Sequence, residues 1–263
     1  MRLAVLSDIH GNLVALEAVL ADLQAAGGAD LTWCLGDLAA FGGRPAECVR
    51  RIKALAEADE GKTFKVIGGN TDRYLVNGTR FPAPSAKDED SFKRLAAEWQ
   101  TRDTVLNWNV GQLSFKDYEY LKKIRYQELD TGIDGFGHVI GFHAVPGDDE
   151  KFLTAETPAA EARDLLLDRE GRLALCGHTH VQMDRAEGLG GWRVVNVGSV
   201  GLSVGRPGRA EYAILTFSGD HVEVDLRSLT YDLDAAVRDL EASGHPAVAW
   251  AAGRLRPSAA GGA

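Results

Sequence analysis

The sequence is poor in sulfur and has no long apolar run. It holds three cysteines and two methionines in 263 residues. Cys34, Cys48 and Cys176 are an odd count at irregular spacing, each inside an apolar stretch. That pattern excludes a disulfide framework and reads as buried, reduced thiols. No segment approaches the ~18 consecutive apolar residues that span a bilayer. The apolar run between Met1 and Asp8 is too short for a secretory leader, so the cytoplasm is the expected location and no membrane partner is expected. Positive charge is also in deficit, with 29 Lys+Arg against 38 Asp+Glu and a net charge of −9. This excludes a protein that coats long nucleic acids through a broad basic surface. What remains, 45% hydrophobic and 25% charged, is ordinary globular composition. The length suits a single domain over 1–263.

Along the chain, Leu3–Leu6, Leu31–Leu35 and Phe64–Ile67 are compact apolar runs. Each stops at polar residues: Ser7-Asp8, Gly36-Asp37 and Gly68-Gly69-Asn70. Between them, Leu13, Leu16, Val19, Leu20 and Leu23 repeat at helical spacing, and Pro45 opens a second helical stretch. Three strand–loop–helix units in a row predict βαβ architecture, with the loops after the strands building the site. Residues 73–125 break the rhythm with turn residues (Asn77-Gly78, Pro82, Pro84) and helical stretches around 92–99 and 114–123, the latter capped by Ser114. They read as a helical insertion. Further strands are predicted at 127–130, 136–143, 173–176, 181–186, 192–197, 211–217 and 221–226. Thr157-Pro158 opens a helix through Leu167, Asp232 caps a last helix ending near Gly244, and a mobile tail starts at about 253.

The chemistry-bearing residues sit at the strand ends: Asp8 and His10, then Asp37, Asn70, His143, His178 and His180. Each is predicted to reach the same edge of a sheet from a separate strand. Two imidazoles two residues apart, as in His178 and His180, point the same way along a strand and are costly unless something binds them. Carboxylate, imidazole and amide oxygen together are ligands for borderline-hard divalent ions. Seven ligands exceed what one ion with an open position needs and suit two ions sharing a carboxylate. His138 has opposite parity to His143 and should face away; His221 and His245 read as exposed or structural.

Asp8-Ile9-His10-Gly11-Asn12, Gly36-Asp37, Gly69-Asn70-Thr71-Asp72, His143 and Gly177-His178-Thr179-His180 resemble the signature of calcineurin-like metallophosphoesterases. Asn196-Val197-Gly198-Ser199-Val200-Gly201 is similar to a segment of the small prokaryotic phosphodiesterase branch. The resemblance runs from Met1 to about Leu226 outside the insertion. It implies an α/β fold, a four-layer αββα sandwich. It implies that Asp8, His10, Asp37 and His180 hold a first metal, and that Asp37, Asn70, His143 and His178 hold a second, with Asp37 bridging. Asp37, Asn70 and His10 are the expected catalytic groups. The ions would be manganese foremost, with iron, zinc, cobalt or nickel as alternatives. The implied reaction is hydrolysis of small phosphodiesters or nucleotide phosphoanhydrides by a metal-bridging hydroxide. The alternatives are a phosphomonoesterase of the same fold and a metal-binding module that recruits partners without catalysis.

The chain departs from the family pattern at two places. Many members have His where Thr71 stands, and the protein phosphatase branch supports that His with an Asp where this chain has Ala40. Both are missing together, which points away from protein phosphoserine and toward substrates with good leaving groups. The insertion carries 10 Lys+Arg and 7 Asp+Glu, a net +3 that leaves −12 for the rest. It also holds 8 of the chain's 20 aromatics. Two readings stand: contacts to phosphate and base in a small nucleotide substrate, or a small core with solvated charges. Arg73 and Tyr74, just past Asn70, are expected to see substrate. Asn12 either caps the first helix or touches a phosphoryl oxygen. A homo-oligomer is compatible with all of this.

Overall fold

The structure, a computed structural model, describes residues 1–82, 85–166 and 169–256. In chain order the elements are β1 (Arg2–Leu6), α1 (Leu13–Ala25), β2 (Leu31–Cys34), α2 (Pro45–Glu57), β3 (Phe64–Val66) and α3 (Asn70–Asn77). Then come α4 (Glu89–Gln112), α5 (Phe115–Ile124), β4 (Leu129–Ile133), β5 (Gly137–Gly141), α6 (Ala159–Asp164) and β6 (Leu173–Cys176). The chain closes with β7 (Met183–Arg185), β8 (Arg193–Asn196), β9 (Arg209–Ser218), β10 (His221–Thr230), α7 (Leu233–Ala242) and α8 (Val248–Leu255).

The strands form two five-stranded mixed sheets, ordered β10-β9-β1-β2-β3 and β4-β5-β6-β8-β7. In the first, β1, β2 and β3 run parallel, β9 runs antiparallel to β1, and β10 pairs antiparallel with β9. Strand alternation sorts the side chains into layers. Leu3, Val5, Trp33 and Leu35 face Val139, Leu173, Leu175 and Val195 of the second sheet. Ala4, Leu6 and Cys34 face the other way, under Leu16 and Val19 of α1, Val49 and Ile52 of α2, and Leu121 and Ile124 of α5. Behind the second sheet, Ala174, Cys176 and Val194 pack under Ala162 of α6 and Leu166. The four-layer αββα sandwich is therefore present, with a thin fourth layer. All three cysteines are free and buried, and among the described residues no helix is long and apolar enough to cross a membrane.

Three expectations need correction. The ligand-bearing loops come from two sheets rather than one, because β5 and β6 belong to the second sheet. Asn70 opens helix α3 instead of sitting in a turn, so Arg73 and Tyr74 ride on the same helix and the insertion proper is α4 and α5. The chain also does not end its helices near Gly244. An eight-residue helix, α8, follows and packs on α7, and it includes positions 253–255 of the expected tail. Residues 257–263, Pro84 and Leu167 lie outside the described residues. The cap at Ser114 is present, its Oγ accepting from the Asp117 N–H.

Candidate metal centre

The loops leaving β1 and β2 are zipped to one another through the backbone. Asp8 N donates to Gly36 O at 3.0 Å, His10 N to Asp37 O at 2.9 Å and Gly11 N to Leu38 O at 3.1 Å. Asp8, His10, Asp37, His178 and His180 all hold left-handed backbone, with φ from 50 to 65°. Side chains at such φ cost on the order of 1–3 kcal/mol each and persist only where the surroundings over-determine them. Here the surroundings do so. The 196–201 segment ties the two halves together: Gly201 N and Ser199 Oγ both donate to Asp8 O, at 2.9 and 2.7 Å, and Asn196 Nδ2 donates to Gly177 O and Thr179 Oγ1. A Cβ at Gly69 would collide with Asp37 and His143, and one at Gly177 with Ser7 and Asp8. Only glycine lets these loops approach.

The structure brings all seven expected ligands together. His180 Nε2 lies 3.2 Å from Asp8 Oδ1, His10 Nε2 3.7 Å and His143 Nε2 4.0 Å. Asp37 Oδ2 lies 3.6 Å from both His10 Nε2 and His143 Nε2. Asn70 Oδ1 is 3.0 Å from His143 Nε2 and 3.1 Å from His178 Nδ1. Asp8–His10–His180 and Asp8–Asp37–His143 are two groups of donors close enough to share an ion each.

The second nitrogens of the rings decide what these contacts mean. His143 Nδ1 is 2.8 Å from Leu35 O, His178 Nε2 is 3.0 Å from Glu150 O and His180 Nδ1 is 2.7 Å from Leu202 O. Each donates its one hydrogen there when neutral. The other nitrogen then presents a bare lone pair to carboxylate and amide oxygens, which repel it. Asp8 Oδ1 meanwhile is fully buried without a hydrogen-bond partner. The cradle demands positive charge. Burial would depress His143 and His180, but Asp37 and Asp8 pull the first up and Asp8 the second. Burial pushes His10 and His178 down, aided by His180 and His143 respectively, His178 to about 4. Burial would raise Asp8, but His180 outweighs it and holds the carboxyl well below the usual range. Imidazole, carboxylate and amide donors in this arrangement fit divalent ions better than shared protons do.

Comparison with known proteins agrees. The family model for the calcineurin-like phosphoesterase superfamily domain matches residues 1–220. The chain belongs to this superfamily. The structure of a metallophosphoesterase from Sphaerobacter thermophilus is similar at 24% identity and a TM-score of 0.69, covering 97% of this chain and 98% of that one. Hypothetical protein PH1004 from Pyrococcus horikoshii OT3 matches at 21% identity and 0.75, covering 97% of each. Uncharacterized protein MJ0912 from Methanocaldococcus jannaschii is 49% identical over 53 residues; the match spans about a fifth of this chain (20%) and of that protein (21%).

The cradle opens into a cavity of about 530 Å³. Of the three residues expected to touch substrate, none lines it. Asn12 caps α1, its Oδ1 accepting from Ala15 N, while its Nδ2 donates to Gly201 O and Tyr231 Oη. Arg73 donates to Asp149 and Glu150 from the loop after β5, and to Thr79. Tyr74 is buried and donates to Glu150. The acidic Asp149-Glu150 pair, far off in sequence, is what captures them. Arg73→Ala should therefore act on stability: losing charged hydrogen bonds that are only partly exposed costs about 1–3 kcal/mol. A thermal melt should show the loss, with KM changing less than Tm implies.

Sequence reasoning missed two sets of residues. Asp72 accepts from Leu38 N, Ala39 N and Gly69 N, clamping the Asp37 loop to the Asn70 helix. Burial, then the Asp37 charge, push its carboxyl up to about 7. Asp72→Asn should cost about 2 kcal/mol by turning an N–H toward these donors and should weaken metal binding measured by calorimetry. The second set is Trp250, Arg254 and Arg256, which line the cavity from α8. His138 is exposed and paired with Asp130, as its parity predicts, and His245 is buried against Trp108.

Proposed function

We propose that the protein hydrolyses small phosphodiesters or nucleotide phosphoanhydrides with two divalent ions. Asp8, His10, Asp37 and His180 would hold one ion and Asp37, Asn70, His143 and His178 the other. The observation that carries this is the orphaned Asp8 Oδ1, buried among three imidazole nitrogens, with Asp37 Oδ2 equidistant from His10 and His143. Bound divalent ions supply Lewis acidity toward phosphoryl oxygens and acidify water.

The chain's own contribution is orientation. Thr71 N donates to Asp37 Oδ1 at 2.8 Å, which turns Oδ2 toward both ligand groups. The carbonyls of Leu35, Glu150 and Leu202 fix the ring tautomers. Thr71 lines the cavity with its hydroxyl buried and unpartnered, and no imidazole stands in its place to protonate a leaving group. A missing general acid removes ~10²–10⁴-fold, and most from poor leaving groups. The rate should therefore fall steeply with leaving-group basicity. Nitrophenyl esters and nucleoside polyphosphates should turn over far faster than serine phosphate, and equal kcat/KM on serine phosphate and a polyphosphate would contradict the reading.

A further inference from the structure

The cavity above the cradle carries two aromatic pairs. Phe41 lies against His10 with ring centroids 5.4 Å apart, and Trp250 meets Phe41 edge-on at 5.8 Å. Phe152 lies against His178 at 4.9 Å, and Phe81 meets Phe152 edge-on at 6.0 Å. His10 belongs to the Asp8–His10–His180 group, while His178 shares Asn70 with His143. One aromatic pair therefore stands beside each half of the metal centre. Edge-on pairing does not stack the two rings on each other, so a flat group can still meet a ring face; at Trp250 the Arg254 guanidinium lies over one face. Phe152 is 52% exposed, an apolar surface left to water at the rim of a polar site.

Positive charge faces the same space. Arg254 sits 4.1 Å from the Trp250 ring and donates to Glu98 of α4, which also accepts from Trp250 Nε1. Arg102, half-buried on α4, lines the cavity with no hydrogen-bond or ion-pair partner among the described residues. Burial lowers the Arg254 pKa, and the like charge of Arg102 lowers it further against the pull of Glu98. Arg254 is paired with Glu98 while Arg102, among the described residues, is not paired, which leaves positive charge facing the cavity for an anion.

We propose that this cavity takes a phosphoryl substrate bearing a flat aromatic group, of nucleobase kind, on each side of the scissile phosphate, with Trp250 and Phe152 as the stacking residues and Arg102 as the contact to an additional phosphate. The proposal rests on the phosphoesterase reading for the position of the scissile phosphate. The stacking residues come from α8 and from the loop after β5, the same loop that carries His143.

The test is calorimetric binding to the manganese-loaded protein, using methylene-bridged, non-hydrolysable forms of diadenosine tetraphosphate and adenosine tetraphosphate. The two compounds differ by one nucleoside. The first should bind about 5- to 150-fold more tightly, the range expected for stacking one base. Trp250→Leu and Phe152→Leu should each remove most of that preference, weakening the two-base compound more than the one-base compound. Arg102→Gln should weaken both compounds alike, by about tenfold or more. Equal affinity of the wild type for the two compounds would overturn the proposal. So would leucine variants that weaken both compounds equally while melting like the wild type, or an Arg102→Gln variant that binds unchanged. A wild type that binds as expected but hydrolyses no phosphoester with any divalent metal would overturn the phosphoesterase reading and leave the two-sided subsite standing.

Discussion

Asp37→Asn is expected to lower kcat/KM on every phosphoester by about 10³–10⁴-fold without unfolding the chain. Lewis-acid stabilisation of the reacting phosphoryl group is worth several kcal/mol, and each 1.36 kcal/mol is tenfold in rate. Asp37 Oδ2 faces His10 of one ligand group and His143 of the other, so its charge bears on both proposed ions at once. Asparagine keeps an oxygen for the Thr71 N–H and so avoids stranding a buried donor. It also removes a negative charge that burial and Asp8 already disfavour, since both push the Asp37 carboxyl up. The metal-free variant should therefore melt no lower than the metal-free wild type. Steady-state kinetics beside a thermal melt checks both halves. A variant as active as the wild type would remove Asp37 from the centre, and one that fails to fold would make it a structural residue.

Added manganese is expected to raise the melting temperature of the wild type by roughly 5–10 °C at a hundredfold excess over Kd. Mass action at that excess gives ~2.7 kcal/mol, and a chain of this size gains ~2–4 °C per kcal/mol. The physical source is the cradle. Three of the four imidazoles and both carboxylates are held in left-handed backbone, and the lone pairs of His143, His178 and His180 face oxygens, an arrangement that is costly until a cation occupies it. The shift should vanish in His178→Ala,His180→Ala and be reversed by chelation. A melting temperature indifferent to every divalent ion would show that the cradle does not bind metal.

Much of the fold, and the seven residues that the structure gathers into the cradle, could be read from residues alone, for a physical reason. A buried parallel strand is a short apolar run, and a ligand placed after it is conspicuous because the run stops. Asp8, Asp37 and His143 announce themselves in that way. Helix α3 was hidden because Gly69-Asn70 looks like the turn it partly is, and its eight residues carry little periodicity. Helix α8 was hidden because Val248–Leu255 is short and its partners, α7 and Glu98, are distant in sequence. The substrate-facing residues were the least legible. Position in the chain put Arg73 beside Asn70, but an acidic loop 76 residues away holds it. Among the described residues of the basic, aromatic stretch 73–125, only Arg102 and Phe81 line the cavity, while Tyr74 and Tyr120 are buried in the core and Arg80, Lys93 and Lys122 pair with neighbouring acids.

On the proposed function, the Asp–His cradle turns over phosphoesters through the ions it holds. Titrating manganese into chelator-treated protein, while following hydrolysis of bis(4-nitrophenyl) phosphate, tests it most directly. The account predicts no turnover without metal and a rate that saturates at two equivalents per chain. Turnover that needs no metal, or a protein that binds two equivalents and hydrolyses nothing, would contradict it.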